Sequence, residues 1–196
     1  DRIDGQLVAS ADHQHRYVRR EPLGVCAAIV PWNFPLLLML WKVAPALAAG
    51  NAVVVNPASA TPLTALLFAD LAVRAGLPEG VLNIVPGPGA EIGKLLVQHP
   101  DVAKVSFTGS TEIGREVAGY AAQGVKRVTL ELGGKSPNLI LDDADLDKAI
   151  AGTAAGVFGH AGQKCAARTR CIVIDSIADE VVERLAIAAT SLKSGD

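Results

Sequence analysis

The sequence lacks the features of a membrane protein, a disulfide framework or a nucleic-acid surface. Its longest apolar run, Leu36 to Trp41, is closed by Lys42, well short of the roughly 20 apolar residues that a membrane span needs. Its three cysteines, Cys26, Cys165 and Cys171, form no CxxC or CxxH pair, which argues against disulfides and zinc sites. The formal charge is only −2, without a Lys/Arg stripe. Nucleic acid and acidic membranes are therefore not expected as partners.

The sequence does contain enough apolar material for a substantial core. Half of its 196 residues are hydrophobic and only 19% are charged, which fits one or two globular domains. No basic start followed by an apolar stretch is visible from Asp1 to Gly5, so no secretory signal is predicted. With the odd number of cysteines, this favours a reducing, cytoplasmic setting.

Short β-branched runs alternate with segments of helical periodicity between residues 22 and 133. The predicted strands are Val25 to Val30, Ala52 to Val55, Val81 to Val85, Ala103 to Phe107 and Arg127 to Leu130. The predicted helices are Leu36 to Ala49, Pro62 to Ala75 with Thr61 as its N-cap, Glu91 to His99, and Thr111 to Ala122. This alternation indicates right-handed βαβ crossovers and so an α/β fold with a doubly wound parallel sheet.

A second α/β pattern follows. It predicts a strand near Leu139 to Leu141, a helix from Ala144 to Phe158, a strand from Cys171 to Ile174, and a helix from Ala178 to Leu192 that starts at Ser176. These elements are too few to close a core, so we expect the chain to be part of a longer one. The first 21 residues show no partner strand nearby in sequence and are expected to form an arm that pairs elsewhere.

Two glycine-rich turns are candidates for a phosphate cradle at the carboxyl ends of the strands. The turn at residues 87–93 has the spacing GxGxxxG, which suits a tight turn as well as it suits a phosphate. The turn at residues 109–114 places backbone N–H groups and two hydroxyls at a helix N-terminus, and an ordinary capped helix start explains it equally well.

Cys165 and Glu131 are the candidate reactive groups. Cys165 lies in a glycine-flanked loop beside Lys164 and Arg168, where positive charge would stabilise a thiolate, whereas Cys26 and Cys171 lie in apolar strand runs typical of inert core cysteines. Glu131 ends a strand where a partly desolvated carboxylate could act as a base, although an ion pair with Lys135 or Arg127 would also explain it. The four histidines show no ligand spacing, so no metal site is predicted.

Taken together, four motifs remove this ambiguity. They are PWNFP at 31–35, FTGSTEIG at 107–114, ELGGKSP at 131–137 and GQKC at 162–165. In this order and spacing they resemble the aldehyde dehydrogenase superfamily over nearly the whole chain. The resemblance implies an oligomerisation arm at 1–21, a Rossmann-like dinucleotide-binding domain at 22–133 and the start of a catalytic domain at 134–196. It also implies a homodimer or homotetramer for the full-length protein.

The resemblance implies oxidation of an aldehyde to a carboxylic acid with NAD or NADP. Cys165 would attack the aldehyde, and the side-chain amide of Asn33 and the backbone N–H of Cys165 would hold the oxyanion. Glu131 would then activate the water that hydrolyses the thioester. A relative that transfers the acyl group to coenzyme A, and a module that only binds a dinucleotide or a partner subunit, are the alternatives. The isolated 196-residue chain is expected to be inactive.

The same likeness implicates a set of cofactor and substrate contacts. The cofactor set is Val30, Pro31, Trp32, Asn33, Asn56, Ser59, Gly89, Gly109, Ser110 and Leu132. Leu38 and Trp41 would line the aldehyde tunnel, and core packing explains them equally well. The family usually has Lys-Pro-Ala/Ser-Glu where this chain has Asn56-Pro57-Ala58-Ser59, so both charged groups that commonly contact the ribose are lost. This departure puts the choice between NAD and NADP in question.

Overall fold

A computed structural model of the chain describes residues 4–11, 13–193 and 195. The chain folds into two compact units, one ending at Glu131 and one beginning at Leu132. Within the described residues, no helix is long and apolar enough to cross a membrane. The predicted domain limits at 21/22 and 133/134 stay predictions, and residues 1–3 and 12 of the predicted arm lie outside the described residues.

The arm contains its own strand pair, so the prediction that it lacks a nearby partner strand is wrong. Strand β1 (Gln6–Val8) pairs antiparallel with β2 (Arg16–Val18), and Leu7 lies opposite Tyr17. Three residues are too few to show strand periodicity in the sequence, which is why the pattern does not reveal β1. Leu7 and Tyr17 are exposed in the described part of the chain.

The first unit is built on a five-stranded sheet of order β5-β4-β3-β6-β7. Its strands are β3 (Val25–Val30), β4 (Ala52–Pro57), β5 (Leu82–Ile84), β6 (Val102–Gly109) and β7 (Arg127–Leu132). Strand β3 pairs in parallel with both β4 and β6, and β4 pairs in parallel with β5. The predicted α/β fold with a doubly wound parallel sheet is confirmed.

The helices of the first unit are α1 (Pro35–Ala48), α2 (Leu63–Arg74), α3 (Lys94–Gln98) and α4 (Thr111–Gln123). Thr61 does not cap α2, because the carbonyl of Pro62 is the first acceptor of the helix and Pro62 takes the N-cap position. The predicted helix from Glu91 to His99 is instead a π-helical turn, Gly89–Gly93, that continues into the short α3.

Alternation along β3 explains how the sheet is covered on both faces. Ala28 and Val30 belong to a buried cluster with Met39 and Val43 of α1. Ile29 points to the opposite face, where a Cβ atom at Gly93, next to α3, would lie 3.4 Å from its Cδ1. Because successive side chains of a strand face opposite sides, a run of apolar residues without polar interruption is what a strand buried on both faces requires.

The second unit comprises a parallel strand pair, β8 (Pro137–Ile140) and β9 (Arg170–Val173), with α5 (Leu146–Phe158) and α6 (Ala178–Thr190). Ile140, Ile150 and Val181 form its buried centre. The prediction that Ser176 starts α6 is wrong, because this residue lies in a 3₁₀ turn, Asp175–Ile177, and Ile177 occupies the N-cap position. The prediction that Cys171 is a core residue is also wrong, since it is exposed on β9 in the described chain.

Val125 adopts a strained backbone conformation and offers a test of stability. Its φ is +49° and its side chain is 90% exposed, although the left-handed region costs an L-residue about 1–2 kcal/mol. We expect Val125→Gly to raise the free energy of unfolding by about 1 kcal/mol, since glycine adopts this region freely. Urea unfolding of the complete protein measures it. Val73→Gly, at an exposed helical position, is the control and should destabilise instead. A Val125→Gly protein no more stable than wild type would contradict the strain argument.

Candidate functional site

The topology of the sheet brings four of the predicted loops to one edge. Strands β3 to β6 are joined by parallel pairing, so their carboxyl ends lie at the same edge of the sheet. The chain moves from β3 outward to β5 and then returns to β6 on the other side of β3. Such a switch point opens a crevice outside the strand ends, where α/β proteins bind ligands.

A cavity of about 360 Å³ opens beside this edge. Its walls are mostly apolar and come from β3, the π-helical turn, β6 and α4, and they include Ile29, Gly89, Gly93, Phe107, Val117 and Tyr120. The predicted Gly89 therefore lies in a pocket wall. Lys94 lies 5.2 Å from the centroid of the Tyr120 ring, a cation–π distance. A slot between apolar walls with aromatic rings suits a flat heteroaromatic base.

Gly109 is required by the packing of Phe107. A Cβ atom at position 109 would lie 2.4 Å from Cζ of Phe107, well inside van der Waals contact. The next residue, Ser110, caps α4 because its Oγ accepts a hydrogen bond from the N–H of Ile113. The capped helix start is thus observed, and it leaves the amide groups at the beginning of a 13-residue helix beside the strand ends.

Asn56 and Ser59 both fasten the loop that follows β5. Asn56 is 1% exposed, and its Nδ2 donates to the carbonyl oxygens of Val85 and Gly87 at 3.0 and 3.3 Å. The exposed Ser59 donates from its Oγ to the same Gly87 oxygen at 3.1 Å. The donors of the Asn56 amide are therefore engaged within the chain. Ser59 is the more accessible of the two for a ligand.

The loop after β3 carries Asn33 in a fixed orientation. Its Oδ1 accepts a hydrogen bond of 3.1 Å from the N–H of Phe34, so the amide nitrogen is at the other end of the group. Val30 is 3% exposed, which restricts any ligand contact there to its backbone, whereas Trp32 is half exposed. Pro31 is half-buried between them.

The two predicted tunnel residues differ in their surroundings. Leu38 is buried within α1, whereas Trp41 is 66% exposed on the same helix. The burial of Leu38 suits core packing, and its role in the aldehyde tunnel stays a prediction. Trp41 lies at the rim of a second cavity, of about 320 Å³, together with Lys42 and Cys26.

Lys42 is a charged group near the site that the sequence reasoning missed. It is half-buried, and its Nζ donates to Oγ1 of Thr108 at 2.6 Å. Burial lowers the pKa of Lys42, and the carboxylate of Glu131 opposes this by raising it. Glu131 itself is exposed in the described chain, so the partial desolvation expected for it is not present here. The lysine that closes the apolar run of α1 was the available signal.

In the second unit, Cys165 is exposed at the tip of a turn in which the N–H of Ala167 donates to the carbonyl of Lys164 at 3.1 Å. Within the described residues, the backbone N–H of Cys165 makes no hydrogen bond. Leu132 is half-buried at the start of this unit. Among the described residues, no group of three or more His, Cys, Asp or Glu side chains could hold a metal ion.

Comparison with known proteins shows the family. The model of the aldehyde dehydrogenase family matches residues 1–196. The chain belongs to the aldehyde dehydrogenase family. This confirms the resemblance drawn from the four motifs.

Individual relatives agree with this assignment. The chain is 54% identical to phenylacetaldehyde dehydrogenase of Pseudomonas fluorescens over 177 residues, which is 90% of the chain and 35% of the relative. It is 49% identical over 201 residues to cytosolic 10-formyltetrahydrofolate dehydrogenase of Xenopus tropicalis, covering all of the chain and 22% of the relative. An aldehyde dehydrogenase from Bacillus cereus, solved as its NAD+ complex, superposes with a TM-score of 0.95 at 46% identity. That match covers 98% of the chain and 39% of the solved protein, so the chain spans less than half of each relative.

Proposed function

We propose that the complete protein oxidises an aldehyde to a carboxylic acid with NAD or NADP, through a thioester on Cys165. The observation that carries the proposal is the Cys165 turn, which exposes a thiol and leaves its own backbone N–H without an acceptor in the described chain. A nucleophile next to an available N–H is the minimum that acyl chemistry needs, because the N–H can hold the oxyanion that the attack creates.

The residues at the strand ends fit a dinucleotide. The apolar cavity lined by Gly89 and Phe107 would hold the adenine, and the N-terminus of α4 at Gly109 and Ser110 would face the pyrophosphate, where backbone amides favour negative charge. When bound, the cofactor supplies the nicotinamide that accepts a hydride. Pro31, Trp32 and Leu132 are proposed as further contacts, with Val30 contributing its backbone.

The chain supplies three groups for the chemistry. The Cys165 thiolate forms a C–S bond to the aldehyde carbon, and the oxyanion is held by the Cys165 N–H and the Asn33 Nδ2. After loss of the hydride, the carbon is a thioester. Glu131 takes a proton from water, the resulting hydroxide adds to the thioester carbon, and cleavage of the C–S bond returns the thiolate and releases the acid.

The thioester itself provides the test. The complete enzyme is mixed with an aldehyde and NAD, quenched in acid and digested, and each cysteine peptide is weighed. We expect the mass of the acyl group on the peptide that contains Cys165, only when NAD is present, and none on the peptide of Cys171, which is also exposed. An acyl group on any other residue, or no acyl-enzyme in the Glu131→Gln variant, in which hydrolysis is slowed, would contradict the proposal.

Cofactor choice is proposed to rest on the absence of charge at positions 56 and 59. A carboxylate at 59 would accept hydrogen bonds from the ribose of NAD and repel the 2′-phosphate of NADP, and Ser59 does neither. We expect the kcat/KM values for the two cofactors to differ by no more than one to two powers of ten, which corresponds to about 1.4–2.8 kcal/mol. Ser59→Glu should shift the preference towards NAD through like-charge repulsion of NADP.

Ser59→Ala is the matched control, because it also removes the hydrogen bond to Gly87 but adds no charge. The measurement is kcat/KM with NAD and with NADP for the wild type and both variants of the complete enzyme. If the wild type rejects NADP by many powers of ten, or if Ser59→Glu and Ser59→Ala keep the same ratio, the discrimination is made elsewhere.

We also propose that the full-length protein assembles as a homodimer or homotetramer and is cytoplasmic. The exposed Leu7 and Tyr17 on the β1–β2 pair support an arm that adds to another subunit. The cytosolic setting named for the Xenopus relative supports the location.

A further inference from the structure

The turn that carries Cys165 is held at both ends by helix α5. On the far side of the thiol, Ala167 is 2% exposed and the N–H of Arg168 donates to the carbonyl of Gly156 at 3.3 Å. On the near side, Nζ of Lys164 donates to the carbonyl of Ala155 at 3.3 Å. The exposed thiol therefore lies between two anchors on the same helix.

The side chain of Arg168 adds an anchor that crosses the helix surface. Its Nη1 donates to the carbonyl of Gly152 at 3.1 Å, one turn before Gly156. The charges of Lys164 and Arg168, which the sequence suggested would stabilise a thiolate, are thus directed at carbonyl oxygens of α5. A hydrogen bond from a charged donor is roughly twice as strong as a neutral one, so these contacts suit a positional role.

The path of Arg168 across α5 is open because residue 156 is glycine. A Cβ atom at position 156 would lie 2.6 Å from Cδ and 3.1 Å from Nε of Arg168, so the side chain would have to leave its place. A Cβ atom at Gly152 would lie 3.7 Å from Nη1, an ordinary contact. An added methyl group would therefore displace the Arg168 side chain at position 156 but not at position 152.

We propose that Arg168 is a positioning residue for the Cys165 nucleophile, seated across Gly156 and bonded to the Gly152 carbonyl. The inference rests on the proposed role of Cys165. Arg168 acts through the turn: it fixes where the thiol and the Cys165 N–H stand, and small displacements of a reacting group are costly to the rate.

The experiment compares variants of the complete enzyme. Gly156→Ala removes Arg168 from its seat while keeping its charge, and alanine favours the helix more than glycine does. We expect kcat to fall by about 10²-fold, the usual cost of misplacement by an ångström, with KM for NAD and the melting temperature near wild type. Gly152→Ala is the matched control and should keep kcat within about twofold of the wild type, since the added carbon makes only an ordinary contact.

Arg168→Met and Arg168→Lys provide a second, independent pair. Met keeps much of the stem but has no donor, so its kcat should fall like that of Gly156→Ala, whereas Lys keeps a donor and should recover part of the loss. Amide hydrogen exchange at 164–168, followed by mass spectrometry, should be faster in Gly156→Ala and unchanged in Gly152→Ala.

The outcomes separate this inference from the proposed function. A kcat of Gly156→Ala and Arg168→Met within about twofold of the wild type would overturn it, and so would faster exchange without any loss of kcat. An active Cys165→Ala enzyme would instead remove the proposed role of Cys165 and the inference with it.

Discussion

Replacing Cys165 by alanine in the complete enzyme is expected to abolish aldehyde oxidation, whereas Cys171→Ala should leave it intact. The covalent step needs a thiolate, and alanine offers no atom that could form the thioester, so no slower version of the same path remains. Both cysteines are exposed within the same unit, which makes Cys171→Ala a control for the loss of a reactive thiol as such. The assay is aldehyde-dependent formation of NADH at saturating substrate.

A binding measurement tests whether the loss of activity in Cys165→Ala is caused by loss of cofactor binding instead. Cys165→Ala should still bind NAD with an affinity near that of the wild type, because the proposed adenine and pyrophosphate contacts all lie in the first unit. Turnover by Cys165→Ala at more than about a thousandth of the wild-type rate, well above what loss of the nucleophile allows, would mean that another residue attacks the aldehyde. Loss of activity in Cys171→Ala would show that the two cysteines are not separable in this way.

Much of the sheet could be predicted because its strands are defined locally. The six apolar residues of β3 lie between Gly24 and Pro31, and their observed bounds equal the predicted ones. Helix termini were harder to predict, because backbone geometry decides where a helix begins. Thr61 has the chemistry of a cap, yet the following Pro62 provides the first acceptor of α2. A pattern identifies a residue that is able to cap a helix, whereas the register of the first turn decides which one does.

The candidate site could be predicted in its residues but not in their partners. Asn56 was identified through the family resemblance, while its actual partners are the carbonyls of residues 85 and 87, on the loop that follows β5. Lys42 belongs to no recognised motif, and its only signal in the sequence is that it closes the apolar run of α1. Folding nevertheless brings its charge into range of Glu131. For Cys171 the sequence predicted burial that the structure does not show. Its apolar run is typical of a core strand, but the two-stranded sheet of β8 and β9 is too small to bury that strand. Pairing between distant segments is set by tertiary packing, which local patterns do not contain.

Glu131→Gln should separate the two halves of the reaction. The amide is close in shape to the carboxylate but cannot take a proton from water, so attack on the aldehyde and loss of the hydride should proceed while hydrolysis of the thioester does not. We expect a single burst of about one NADH per active site, followed by turnover reduced by roughly 10²–10⁴-fold, the usual contribution of a general base. Rapid mixing with absorbance at the NADH band measures both the burst and the slow phase.

The stalled thioester expected in Glu131→Gln can be detected with an added nucleophile that needs no general base. Hydroxylamine attacks a thioester directly, so adding it to Glu131→Gln after the burst, once free aldehyde has been removed, should release the acyl group as a hydroxamate, whereas Cys165→Ala should yield none. Glu79→Gln, another exposed carboxylate of the same unit, should behave like the wild type. If Glu131→Gln turned over normally without hydroxylamine, another group would activate the water. If it gave no burst, Glu131 would be acting before the thioester forms, on the thiol of Cys165 itself.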